Sequence, residues 1–132
     1  MSLLAVDAAA ILAVLLAEDG DSVANRMADQ ELVAPHVLPF EVANVLRRQW
    51  SGGVLSAAAA ELALDSFASL AIDLWPFEAV ATQIWALRGQ MTAYDAAYVA
   101  LAELLQVPLL TGDSRLAAAA RANVPHVKVE VA

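Results

Sequence analysis

At 132 residues, with 61% apolar and 17% charged side chains spread along its whole length, the chain is long enough to bury a core as one domain over 1–132, which excludes intrinsic disorder. The absence of cysteine excludes thiol nucleophiles, disulfides and cysteine-held zinc, and fits a reducing, cytoplasmic setting. A formal charge of −8 argues against a broad basic face for nucleic acid. It leaves a basic protein partner, or nucleic acid met through bound divalent cations, two of which would bring −8 to about −4.

The first predicted element is a strand over 3–6, Leu3-Leu-Ala-Val, closed by Asp7. The apolar stretch over 8–17 lacks a basic start, follows an acid and is too short to span a bilayer, so it reads as a folded helix and no membrane association is expected. A helix over 21–29 and a strand over 32–34 come next. In the helix over 39–50, Val42, Val45, Leu46 and Gln49 share one stripe, and Glu41, Asn44 and Arg48 share another. Gly52-Gly53 marks a turn, Ser56 caps a helix over 57–70, and a strand over 71–75 precedes a helix over 78–88. Thr92 caps a helix over 93–105, Pro108 opens a strand over 108–110, and a helix over 114–121 leads to a strand over 126–131. Strands alternating with helices predict an α/β domain whose parallel sheet is covered on both faces. The apolar helices over 39–50 and 57–70 also offer surface for a partner.

Four acids stand where these elements meet. Asp7 and Asp113 each end a strand and begin a helix, and ligands of open parallel sheets bind beyond the carboxyl ends of the strands. Each is equally explained as an N-cap, accepting hydrogen bonds from a helix's first turn. Asp95 stands at the third helical position after Thr92, the pattern of a capping box, and Glu41 taken alone reads as part of a solvated helix face. A parallel fold would gather all four at one rim, where their mutual repulsion calls for protons or a cation. Ligands that are oxygen alone favour Mg²⁺ or Mn²⁺ over zinc. Spacing points to convergence and goes no further.

The motifs Leu4-Ala-Val-Asp7-Ala, Ala34-Pro-His36, Glu41-Val-Ala-Asn44-Val-Leu-Arg-Arg48, Thr92-Ala-Tyr-Asp95-Ala-Ala-Tyr-Val-Ala-Leu-Ala-Glu103 and Pro108-Leu-Leu-Thr-Gly-Asp113-Ser-Arg-Leu116 occur in this order across nearly the whole chain. Together they resemble a PIN domain of the VapC toxin type. The resemblance implies a three-layer α/β/α domain with a five-stranded parallel sheet and a Mg²⁺-dependent ribonuclease activity, with metal bound by Asp7, Glu41, Asp95 and Asp113. It also implies a homodimer, and inhibition by a cognate antitoxin that inserts a segment near the site. The chain departs from the family at Ala9, where a serine or similar polar residue is frequent.

On this reading Asp7 and Asp95 hold the principal ion, and Glu41 and Asp113 hold a second ion or orient the attacking water. Asn44, Thr111 and Ser114 are candidates to support the ligands, and Arg48, Arg88 and Arg115 to contact RNA phosphates. Trp50, Trp75 and Trp85 are expected in the core or an interface, Tyr94 at the rim and Tyr98 inside; His36 and His126 are expected to be structural. The competing reading is a catalytically weak or inactive PIN-like module that binds metal and a protein partner. A receiver-type phosphoacceptor domain would need paired acids after the first strand and a late lysine; Asp7 has no adjacent acid and Lys128 is poorly placed.

Overall fold

A computed structural model describes residues 2–16 and 20–132. The elements run β1 (Ser2–Val6), α1 (Ala8–Leu15), α2 (Gly20–Met27), β2 (Gln30–Pro35), α3 (Leu38–Ser51), α4 (Ala57–Ala68), β3 (Ile72–Trp75), α5 (Phe77–Ala86), α6 (Ala93–Leu105), β4 (Leu109–Thr111), α7 (Ser114–Asn123) and β5 (Val129–Val131). Every expected element is present with ends shifted by a few residues, except that the expected end of the first helix at Ala17 lies outside the described residues. None of the described helices is long and apolar enough to cross a membrane.

All five strands are parallel, in the order β3-β2-β1-β4-β5. Parallel neighbours need crossovers, which are right-handed with few exceptions. The chain moves outward from β1 through β2 to β3, then returns past β1 to add β4 and β5. This sets α1–α4 on one face and α5–α7 on the other. Contacts follow that division: α1 packs on α2, α3 and α4, while α5 packs on α6.

The direction of building reverses between β1 and β4, and in open α/β sheets the crevice for a ligand forms at that switch point. Register carries Asp7 and Thr111 to it: Ala5 pairs with Leu109, Val6 with Leu110, and the Asp7 N–H donates to the Leu110 carbonyl at 3.2 Å.

The core lies on both faces of the central strands, with Leu4, Val6, Ile11, Val33, Leu38, Val42, Val99, Leu101 and Leu109 sealed from solvent. Helix α6 packs on β1, β2 and β4, and Ala96–Ala102 is buried without interruption. A helix enclosed on all sides must be apolar all round, and its alanines allow close approach to the sheet. The Asp95-Ala-Ala-Tyr-Val-Ala-Leu-Ala sequence meets both needs. Leu101 is fully enclosed, so Leu101→Ala is expected to lower unfolding free energy by about 2–5 kcal/mol, measurable by urea denaturation.

Candidate active site

Four helices begin at the carboxyl rim of the sheet, and each brings one acid. Asp7 is the N-cap of α1, Glu41 and Asp95 stand in the first turns of α3 and α6, and Asp113 is the N-cap of α7. Helix N-termini carry partial positive charge and unpaired N–H groups, so carboxylates are favoured there. The four acids line one cleft of about 250 Å³, together with Ala9, Leu12, Val45, Tyr98 and Arg115.

Asp7 is 4% exposed and rigidly held. One carboxylate oxygen, Oδ1, accepts from the backbone N–H groups of Ala10 at 2.8 Å and Gly112 at 3.2 Å, and Oδ2 accepts from the Thr111 hydroxyl. These use three of about four acceptor positions of a carboxylate and leave room for a further ligand. Burial pushes the Asp7 carboxyl above its ordinary range; the hydrogen bonds from Thr111, Ala10 and Gly112 oppose the shift, and the Asp113 charge adds to it.

Glu41 Oε1 accepts from the Tyr98 hydroxyl, which joins α3 to α6 across the cleft. Burial raises the Glu41 carboxyl, the Tyr98 hydrogen bond opposes, and repulsion from Asp95 and Asp7 adds. Tyr98, 3% exposed, is raised as well, chiefly by burial and then by its bond to Glu41. Asp95 is raised by burial and by Asp113, with Arg115 acting against the shift. Arg115 Nη2 lies 3.9 Å from Asp95 Oδ2 and 3.5 Å from Asp113 Oδ2.

Thr92 caps α6 as expected, its hydroxyl accepting from the Asp95 N–H at 3.2 Å. The other half of a capping box is absent among the described residues, because the Asp95 carboxylate turns to the cleft and Arg115. Asp113 does cap its helix, accepting from the N–H groups of Arg115 and Leu116 at 2.9 and 3.3 Å.

The donor set fits a hard divalent cation: it is oxygen only, and three of the four carboxyls have their charge disfavoured by burial and by neighbouring acids. As placed, no three of these acids among the described residues draw close enough to enclose an ion. Glu41 is engaged by Tyr98, and Asp95 and Asp113 lie within 3.9 and 3.5 Å of Arg115.

The other sequence candidates divide by position. Thr111 is fully buried, donates to Asp7 and accepts from the Asp113 N–H at 2.9 Å. Asn44 is exposed and accepts from Arg47, while Val45, one turn on from Glu41, lines the cleft in its place. Ser114 and Arg48 are exposed and outside the cleft lining. Arg88 is likewise outside it and lies over the exposed Trp85 ring, 4.9 Å from its centroid. Trp50 and Trp85 lie outside the core and Trp75 is half-buried at the end of β3; Tyr94 is exposed beside Asp95 without lining the cleft. His36 is exposed, and His126 meets Glu103 at 2.5 Å.

Two further contributors were hidden from sequence reasoning. Tyr98 was expected only to pack, and its spacing of three from Asp95 was the signal that both share a face. Gly112 carries no local signal of its role: a Cβ there would stand 2.8 Å from the Ala9 carbonyl carbon. Tyr98→Phe is expected to keep the fold and to leave thermal stability within a few degrees, read from a melting curve, because the hydroxyl it loses serves Glu41 at the cleft.

The PIN domain family model matches residues 4–122. The chain belongs to the PIN-domain family. This PIN domain is 39% identical to Ribonuclease VapC9 of Mycobacterium tuberculosis over 123 residues, which span 93% of the chain and 95% of the relative. It is 43% identical to Ribonuclease VapC1 of the same organism over 117 residues, 86% of the chain and 88% of the relative. These relatives put it in the VapC-type branch. Among solved structures, PAE2754 from Pyrobaculum aerophilum superposes with a TM-score of 0.66 at 26% identity, over 90% of this chain and 87% of that one. VapBC2 from Rickettsia felis, solved bound to a DNA fragment from its promoter, gives 0.71 over 98% of both chains at 12% identity, a likeness of fold.

Proposed function

We infer that this PIN domain is an endonucleolytic ribonuclease, the toxin of a VapBC-type toxin–antitoxin pair, cleaving RNA phosphodiester bonds with Mg²⁺ or, in its place, Mn²⁺. The observation that carries the reading is the cleft itself: carboxylates 34, 54 and 18 residues apart along the chain line one crevice at the switch point of the sheet. Relatives named as ribonucleases match over nearly the full length.

Asp7 and Asp95 would hold the principal ion, with Glu41 and Asp113 holding a second or orienting the attacking water. When bound, the ion acidifies a coordinated water and supplies positive charge at the phosphate oxygens. The protein's own contribution is placement. Thr111, Gly112 and Ala10 fix Asp7 so that it does not rotate to meet the substrate, and Tyr98 fixes Glu41. The walls formed by Leu12, Val45 and Leu116 limit water around the carboxylates and strengthen their hold on positive charge.

The proposed partners are RNA, a cognate antitoxin and a second copy of the chain, in the cytoplasm. Support for the antitoxin comes from an apolar groove of about 290 Å³ between α3 and α4, lined by Leu46, Trp50, Ala60 and Leu64 and edged by Arg47 and Glu61. The apolar composition of both helices points to the same use. Exposed Phe77 and Trp85 on α5 leave apolar area for the second copy.

Cleavage of single-stranded RNA by the purified chain tests the activity. Cleavage is expected with Mg²⁺ or Mn²⁺ and to vanish with excess chelator, returning when the ion is restored. Equal cleavage with chelator would overturn the metal-dependent reading.

A further inference from the structure

Arg115 is the only cation lining the cleft among the described residues, and it touches acids from two helices. It is the second residue of α7, its own N–H capped by Asp113 at 2.9 Å. A cation in the first turn of a helix faces the positive end of the helix dipole, an unfavourable place. The side chain nevertheless folds back over its cap, within 3.5 Å of Asp113 and 3.9 Å of Asp95. What draws it there is two carboxylates that would otherwise repel each other across the gap between α6 and α7.

We propose that Arg115 is the cleft's own counter-cation, bridging Asp95 and Asp113 in the ion-free protein and competing with a divalent cation for those two carboxylates. The proposal rests on the reading of the cleft as a metal site. An ion held by Asp95 and Asp113 would stand where like charge from the guanidinium repels it, an effect felt at this spacing even in water. Ion entry therefore displaces Arg115. The side chain is free to leave: it is 79% exposed, its two contacts are long, and exposed pairs of this kind are weak. Arg115 thus sets the ion concentration at which the cleft fills. It is a positioning residue that acts through Asp95 and Asp113.

Mn²⁺ affinity of the full chain, read from the free-ion paramagnetic resonance signal without RNA, tests this. Arg115→Ala is expected to bind Mn²⁺ about three- to tenfold more tightly than the wild type, and Arg115→Lys, which keeps the charge, within about twofold of it. Lys128→Ala removes an equal charge just before β5, at the opposite end of the sheet, and is expected to leave the affinity unchanged. Wild-type affinity or weaker binding in Arg115→Ala overturns the proposal while leaving the metal reading in place. Equal tightening by Lys128→Ala overturns it too, since the effect would then be one of net charge. A wild type that binds no Mn²⁺ overturns the metal reading and this proposal together.

Discussion

Replacing Asp95 by Asn is expected to reduce RNA cleavage about a hundredfold or more, while the ion-free protein melts at the same temperature or higher. The carboxylate lines the cleft with Asp7, Glu41 and Asp113, and its loss removes a negative charge there and, on the proposed reading, a metal ligand. The amide retains the shape, and the Arg115 contact that disappears is exposed and long. Stability does not suffer because the Asp95 carboxyl is raised above its ordinary value of 3.8 by burial and by Asp113, against Arg115.

The sign follows from that direction. A folded-state value above the unfolded one means that the folded form holds its proton more tightly. The resulting stabilisation is complete below the unfolded value and is lost as the pH rises through the folded one. At neutral pH the charged Asp95 therefore works against folding, as do Asp7 and Glu41, both raised in the same direction. Without divalent ions, wild-type stability is expected to fall as the pH rises above the ordinary carboxylate range. Asp95→Asn should flatten that fall, and Mg²⁺ should oppose it. Melting curves across pH, with and without Mg²⁺, beside cleavage assays check all of these. Full activity in Asp95→Asn would overturn its role as a ligand, and an unfolded variant would overturn the separation of function from stability.

Gly112→Ala is expected to destabilise the protein by about 1–3 kcal/mol and to lower cleavage together with it. The added Cβ would stand 2.8 Å from the Ala9 carbonyl carbon and 2.9 Å from both the Ala9 Cβ and oxygen, so the β4–α7 loop must move away from α1. That movement breaks the 3.2 Å hydrogen bond from the Gly112 N–H to Asp7 and draws Thr111 from the other oxygen of the same carboxylate. Ala9→Gly in the same chain should restore only part of the stability, because two of the three close contacts are with backbone. Urea denaturation and initial rates on the single and double variants measure this. Wild-type stability in Gly112→Ala would show that the loop yields without strain. The close approach that requires glycine at 112 is to Ala9, and Asp7 takes its hydroxyl hydrogen bond from Thr111.

What was legible in the chain was what neighbouring residues decide. Ser56 and Thr92 cap their helices, Asp7 and Asp113 cap theirs, and the helix over 93–105 stands where the sequence puts it. Each depends on backbone groups within four residues, or on a periodicity that the sequence displays directly. The alternation of strands and helices implied parallel strands, and hence a rim where helices begin.

Strand order decided the rest. Placing β4 beside β1 brought Thr111 and Gly112 to Asp7 across more than 100 residues, and the return past β1 started α6 at the same rim as α3, so that Tyr98 reached Glu41 57 residues away. The same packing placed Arg115 between Asp95 and Asp113, carried Val45 rather than Asn44 to the cleft, and left Trp50 and Trp85 outside the core. By itself the sequence determined which residues end strands, start helices and carry the acids, because caps and helical phase are local. Only the tertiary structure decided which of those acids share a cleft and what holds each one, because the partners come from segments that no local interaction relates.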